Sequence, residues 1–159
     1  MPILEIATIG QPVLREASRP VCSREELASS KIQNLIDDLI DTMHNANGIG
    51  IAANQVYQAI RICVIHVKEN PRYPRMSEIP LTVLVNPRIE LMSDQTFISY
   101  EGCLSVPNVR GEVPRFEYIR ITAWDRNGQD ICFEVKGMEA NVYQHECDHL
   151  NGKLFVDKV

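Results

Sequence analysis

The chain has 159 residues, 45% of them hydrophobic and 23% charged, with a formal net charge of -5. That length suits one domain with a substantial core, and no apolar run approaches the ~20 residues of a membrane-spanning helix. The acidic total gives no basic footprint for nucleic acid, and five cysteines without a Cys-x-x-Cys spacing speak against a disulfide framework and against a four-cysteine metal module.

The first residues show no basic segment followed by an apolar one, so no signal peptide is expected and a reducing cytoplasm is the natural location. Gly10-Gln11-Pro12 reads as a turn leading into an irregular arm, because Pro12 disfavours helix at Gln11. Ser23 and Glu26 form a capping-box pattern. After them Leu27, Ile32, Leu35, Ile36, Leu39, Ile40 and Met43 recur at helical spacing until Asn47-Gly48, which predicts one long helix with its apolar stripe in the core. His44, near the end of that helix, is read as a surface or capping group rather than a ligand.

Short strand-like runs follow at 60–67, 81–91, 97–101, 118–124 and 131–135. Turn or loop chemistry separates them at 71–74, at Asn86-Pro87, at Val113-Pro114 and at 125–128, the last a predicted hairpin. Such short connections predict mostly antiparallel pairing. A last helix runs from Met138 to Leu150 and ends at Asn151-Gly152, and Leu154, Phe155 and Val156 are expected to pack back as a closing strand or arm. The reading is one α+β domain over 1–159, with mostly antiparallel strands packed around a C-terminal metal-binding helix.

That helix carries His145-Glu146-x-x-His149. Residues i and i+4 share a helix face, so the two imidazoles can point at one metal ion, with Glu146 placed to take a proton from a water on it. A catalytic site of this kind usually has three protein ligands. A further histidine in the metzincin pattern would fall at Phe155, and the only acid after His149 is Asp157. The third ligand must therefore lie upstream, where Cys22, Cys63, Cys103, Cys132, His44, His66 and many carboxylates are candidates. Cys147 projects about 200° round the helix from His145 at ~100° per residue and is not expected to ligate.

Two other stretches stand out, Gly48-Ile49-Gly50-Ile51-Ala52-Ala53-Asn54-Gln55 and Glu101-Gly102-Cys103-Leu104-Ser105. With Gln144-His145-Glu146-Cys147-Asp148-His149-Leu150 they resemble, in this order, the three motifs of peptide deformylase. The likeness extends to Gly10, Pro12, Leu14 and Arg15, to Arg110 and Val113-Pro114-Arg115, and to Ala123, Asp125 and Gly128, so it covers nearly the whole chain.

The resemblance implies removal of the formyl group from the N-terminal methionine of nascent peptides, with release of formate. It implies one divalent metal held by Cys103, His145 and His149, usually Fe(II) in the family, with Zn(II) or Ni(II) also taken. Glu146 would be the general base, and the Gln55 side-chain amide and the Leu104 backbone N–H would be the oxyanion donors. Ile49, Gly50, Arg110, Met138 and Val142 would bind substrate, Val142 and Met138 lying one and two turns before His145. Asp148 is expected to orient a ligand imidazole, and Glu101 to pair with Arg115.

The chain departs from the family pattern at Asn54, where proline is usual, which is expected to leave Gln55 less rigidly held. It also lacks a basic helical tail after Phe155, so weak or absent ribosome association is expected. Two rival readings are a metallopeptidase with a different third ligand and a non-catalytic metal-binding relative.

Overall fold

In the computed structural model, which describes residues 3–68 and 78–158, the first apolar stripe forms two helices instead of one, α1 (Arg24–Ala28) and α2 (Ser30–Asn45). Ser29 makes the break. Its backbone is extended, its Oγ donates to the Glu26 carbonyl and accepts from the Ile32 N–H, and so it closes one helix and caps the next. Serine offers the chain this local alternative to continuous helix. Ser23 caps α1 through the Glu26 N–H, but the Glu26 carboxylate accepts from Cys22 rather than Ser23, so only half of the expected capping box forms. The stripe itself is core, with Ile32, Ile36, Leu39 and Met43 buried.

Seven strands follow: β1 (Gly50–Ala52), β2 (Ile62–Val67), β3 (Ile79–Leu91), β4 (Thr96–Cys103), β5 (Val106–Phe116), β6 (Tyr118–Trp124) and β7 (Asp130–Lys136). They build a five-stranded sheet ordered β1-β2-β3-β6-β7 and a separate β4-β5 hairpin, with every pairing between them antiparallel. The predicted turn at 125–128 is present, with Gly128 at positive φ between β6 and β7. Two other predicted breaks are not turns. Val113-Pro114 lies within β5, which has a partner on one side only and so tolerates a residue without an N–H. Asn86-Pro87 sits inside β3 at a register shift, where Asn86 has φ 53° and its side chain exchanges hydrogen bonds with the backbone of Val21. The turn expected at 71–74 lies outside the described residues.

Alternation along β2 and β3 sends their side chains to two layers. Ile62, Val64, Val83 and Val85 pack with α2, whereas Cys63, Ile65 and Leu84 join Ile119 and Ile121 beneath the last helix, α3 (Met138–Leu150). The sheet is thus covered on both faces, and α3 has the bounds expected from sequence. No helix among the described residues is long and apolar enough to cross a membrane.

After α3 the chain turns at Gly152, with φ 76° and no room for a Cβ, which would lie 2.6 Å from the Arg15 carbonyl oxygen. The tail then packs on the domain as expected, though as a 3-10 turn (Phe155–Asp157) rather than a strand. Leu154 is buried with Ala7 and Leu14, and Phe155 with Cys103, Val106 and Val113. Phe155→Ala should therefore cost about 3 kcal/mol, the scale for emptying a buried aromatic site. Equilibrium denaturant unfolding checks this, and an unchanged midpoint would remove the tail from the core.

Candidate metal centre and its cleft

β4 ends at Cys103, and the helical repeat of α3 brings His145 and His149 onto the face opposite that cysteine, the two rings 5.0 Å apart between centroids. One ligand atom from each of the three residues lies within 4.8 Å of the others, and Cys103 Sγ is 3.2 Å from His149 Nε2. Of the other upstream candidates, Cys22 and Cys132 are exposed, Cys63 is buried beneath α3, and His44 and His66 bond each other at 2.9 Å. Cys147 is buried outside the ligand group, as its helical angle requires.

Electrostatics favour the thiolate at Cys103. Burial alone would push the Cys103 thiol up, but His149 and His145 beside it hold it well below the usual thiol range. His145 donates from Nδ1 to Glu101 Oε1 at 2.9 Å, which leaves Nε2 for the metal side. Glu101 is itself gripped by the Arg115 fork at 2.8 and 2.7 Å. Burial opposes ionisation of Glu101, but Arg115 and His145 outweigh it and bring its pKa down to about 2. The Glu101–Arg115 pair thus forms as expected. Asp148 does not touch a ligand imidazole; it accepts from Arg115 Nη1 at 2.7 Å, and Glu101 has the task expected of Asp148.

Glu146 points into the same space. It is buried, its Oε2 has no hydrogen-bond partner among the described residues, and burial raises its carboxyl pKa. Gly50 makes room for it, since a Cβ there would lie 2.9 Å from Glu146 Oε1. Gln55 follows β1 in a 3-10 turn (Ala53–Val56) with its amide fixed at both ends. Its Oε1 accepts from the Ala52 N–H, and its Nε2 donates to Ser105 Oγ at 3.0 Å and lies 3.7 Å from Cys103 Sγ. Asn54 is fully buried and donates from Nδ2 to the His149 carbonyl at 2.5 Å, so this departure from the family pattern tethers the segment to α3 instead of loosening it.

The group opens into a cleft of about 200 Å³. Ile49, Gly50 and Leu104 line one part of it and Met138, Val142, His145 and Glu146 another. Arg110 is placed differently, on exposed β5 opposite Gly102 and outside the lining. Phe97, Ile98, Tyr100 and Asn141 also line the cleft and were not singled out from sequence. The available signal was the apolar alternation of β4, whose Ile98 and Tyr100 are 63% and 64% exposed instead of facing a core.

A thiolate and two imidazoles suit a borderline divalent ion such as Zn(II) or Fe(II), and the unpartnered carboxylate beside them suits proton transfer. Fold and site together point to a class: an α+β protein whose Cys/His/His group, from the end of β4 and a HExxH helix, could hold a metal ion.

Known proteins give the same answer. A family model, Polypeptide deformylase, matches residues 3–159. The chain is 41% identical to "Peptide deformylase 1" of Bordetella pertussis over 97% of its own length and 86% of that protein's. It is 42% identical to "Peptide deformylase 2" of a Nostoc species over 99% and 86%. Among solved structures, the Met-Ala-Ser-bound class I type b peptide deformylase from Acinetobacter baumannii aligns with a TM-score of 0.94 at 39% identity, covering 99% of both chains. The chain belongs to the polypeptide deformylase family.

Purified protein should carry about one divalent ion per chain, and Cys103→Ser should lose most of it because a neutral hydroxyl replaces a thiolate. Cys147→Ser should keep it. Elemental analysis after gel filtration checks both, and full metal content in Cys103→Ser would remove that residue from the ligand set.

Proposed function

We propose that this chain is a metal-dependent peptide deformylase, removing the N-formyl group from the N-terminal methionine of nascent polypeptides and releasing formate. Cys103, His145 and His149 would hold the ion, Fe(II) natively by likeness to the family, with Zn(II) or Ni(II) as substitutes. The observation that carries this reading is their convergence beside the buried Glu146, whose Oε2 has no hydrogen-bond partner among the described residues, at the end of an apolar cleft. When bound, such an ion polarises a carbonyl and brings the pKa of water toward neutrality.

The chain's own groups do the rest. Glu146, with its raised pKa, takes a proton from the attacking water and passes one to the departing amine. The Gln55 Nε2 amide, positioned by Ala52 and Ser105, and the Leu104 backbone N–H donate to the formyl oxygen as charge develops on it. Ile49, Met138 and Val142 offer apolar walls to the methionine side chain. β1, at the edge of its sheet, offers main-chain groups at Gly50 to an extended peptide. Arg110, outside the cleft, would meet only residues further along the substrate.

The Met-Ala-Ser peptide bound by the Acinetobacter relative supports a substrate that begins with methionine. Bacterial relatives and the cysteine usage support a cytoplasmic location, and one family model spanning residues 3–159 supports a single catalytic domain.

Turnover of formyl-Met-Ala-Ser, with no cleavage of casein or internal peptides, tests the activity. Glu146→Gln should retain metal and lose ~100-fold or more in rate, the usual scale for a general base. Gln55→Ala should lose roughly 100-fold in kcat, the scale for one oxyanion donor. Steady-state kinetics on metal-matched samples checks both. Near-normal rates in Glu146→Gln would remove the proton-transfer role.

A further inference from the structure

The two ligand histidines are supported unequally. Each turns Nε2 toward the ligand group, so each carries its proton on Nδ1 and needs an acceptor there. His145 has Glu101. His149 is 1% exposed, and its Nδ1 is buried with no partner among the described residues.

An acceptor with the opposite deficit is bonded to the same residue through its main chain. Asn54 is fully buried, and its Oδ1 is also without a partner, while its Nδ2 is bonded to the main-chain carbonyl of His149 itself. That bond fixes the amide's orientation, because a flipped side chain would set two oxygens against each other. A buried donor and a buried acceptor are thus both orphaned within one residue pair. Buried polar atoms left in this state are costly, and a partner for each is the expected resolution.

We propose that Asn54 is a positioning residue for His149: its Nδ2 holds the helix carbonyl, and its Oδ1 accepts the imidazole Nδ1–H, directly or across one bridging water, when the ligand set closes on its ion. The proposal rests on the reading of His149 as a metal ligand. It gives His149 the support that Glu101 gives His145, from a neutral amide on the opposite side of the site. It also explains how the segment bearing Gln55 is kept in register with α3, since Asn54 and Gln55 are consecutive and each is bonded at the ligand group.

The test uses the full chain loaded with Zn(II), with affinity measured by chelator competition and imidazole protons observed by 15N-edited NMR. In the unsubstituted protein the His149 Nδ1–H should be present and protected from solvent exchange. Asn54→Ala should weaken Zn(II) binding by about 10- to 100-fold, the range for losing such a support, and should lose that protection. Asn54→Asp keeps an acceptor for the Nδ1–H but sets an oxygen against the His149 carbonyl, so it should restore the protected proton and only part of the affinity, whereas a purely structural role would leave the proton unprotected.

An Asn54→Ala affinity within twofold of the parent, with the proton still protected, overturns the proposal and leaves the ligand set standing. So does, in the unsubstituted protein alone, a His149 Nδ1–H that exchanges as fast as that of exposed His44, whether or not Asn54→Ala folds. Failure of the unsubstituted protein to bind Zn(II) overturns the ligand set and this proposal with it.

Discussion

A buried guanidinium organises the site. Arg115 on β5 is 2% exposed, and a charge so far from water is stable only with anions at hand. It takes two, Glu101 from β4 and Asp148 from α3, at 2.7 Å each. The hairpin that ends in Cys103 is thereby locked to the helix that carries His145 and His149. Removing one partner of such a group typically costs about 3–5 kcal/mol, so the hairpin and helix cannot drift apart without a large loss of stability. The same pair keeps Glu101 ionised and aimed at His145 Nδ1, so a contact that holds the fold also sets the tautomer of a ligand.

On the other side of the ligand group the constraint is space rather than charge. β1 approaches α3 so closely that Gly50 touches Glu146, and a methyl group there would strike the carboxylate. Close approach buries Glu146, burial raises its pKa, and a raised pKa is what a proton shuttle working near neutrality requires. The 3-10 turn that follows β1 then delivers Gln55 to Cys103 and Asn54 to His149 as consecutive residues. Phe155 closes the floor by packing on Cys103 and stacking on the His145 ring at 6.1 Å.

Local patterns in the sequence carry much of this. The i, i+4 histidines, the bounds of α3, the 125–128 hairpin and the antiparallel pairing all depend on spacing or turn chemistry within a few residues. What stayed hidden depends on distant partners. Ser29 is the local exception: its hydroxyl bonds backbone groups three residues away on either side and interrupts the apolar stripe. β5 carries Val113-Pro114, which reads as a break until the strand is known to pair on one side only among the described residues. Asp148 and Glu101 are both acids near a ligand, and only the reach of Arg115 decides which of them meets the imidazole. The candidates for a third ligand were several cysteines and histidines by elimination; likeness to a family named Cys103, and β4 ends with it beside both histidines.

The most direct check on the account is the coordination sphere itself, read by X-ray absorption at the metal edge of the Zn(II)-loaded protein. One sulfur at about 2.3 Å and two imidazole nitrogens at about 2.0–2.1 Å, completed by a light oxygen scatterer, is the result the account predicts. A shell without sulfur would contradict it, as would one with a second sulfur drawn from Cys63 or Cys147.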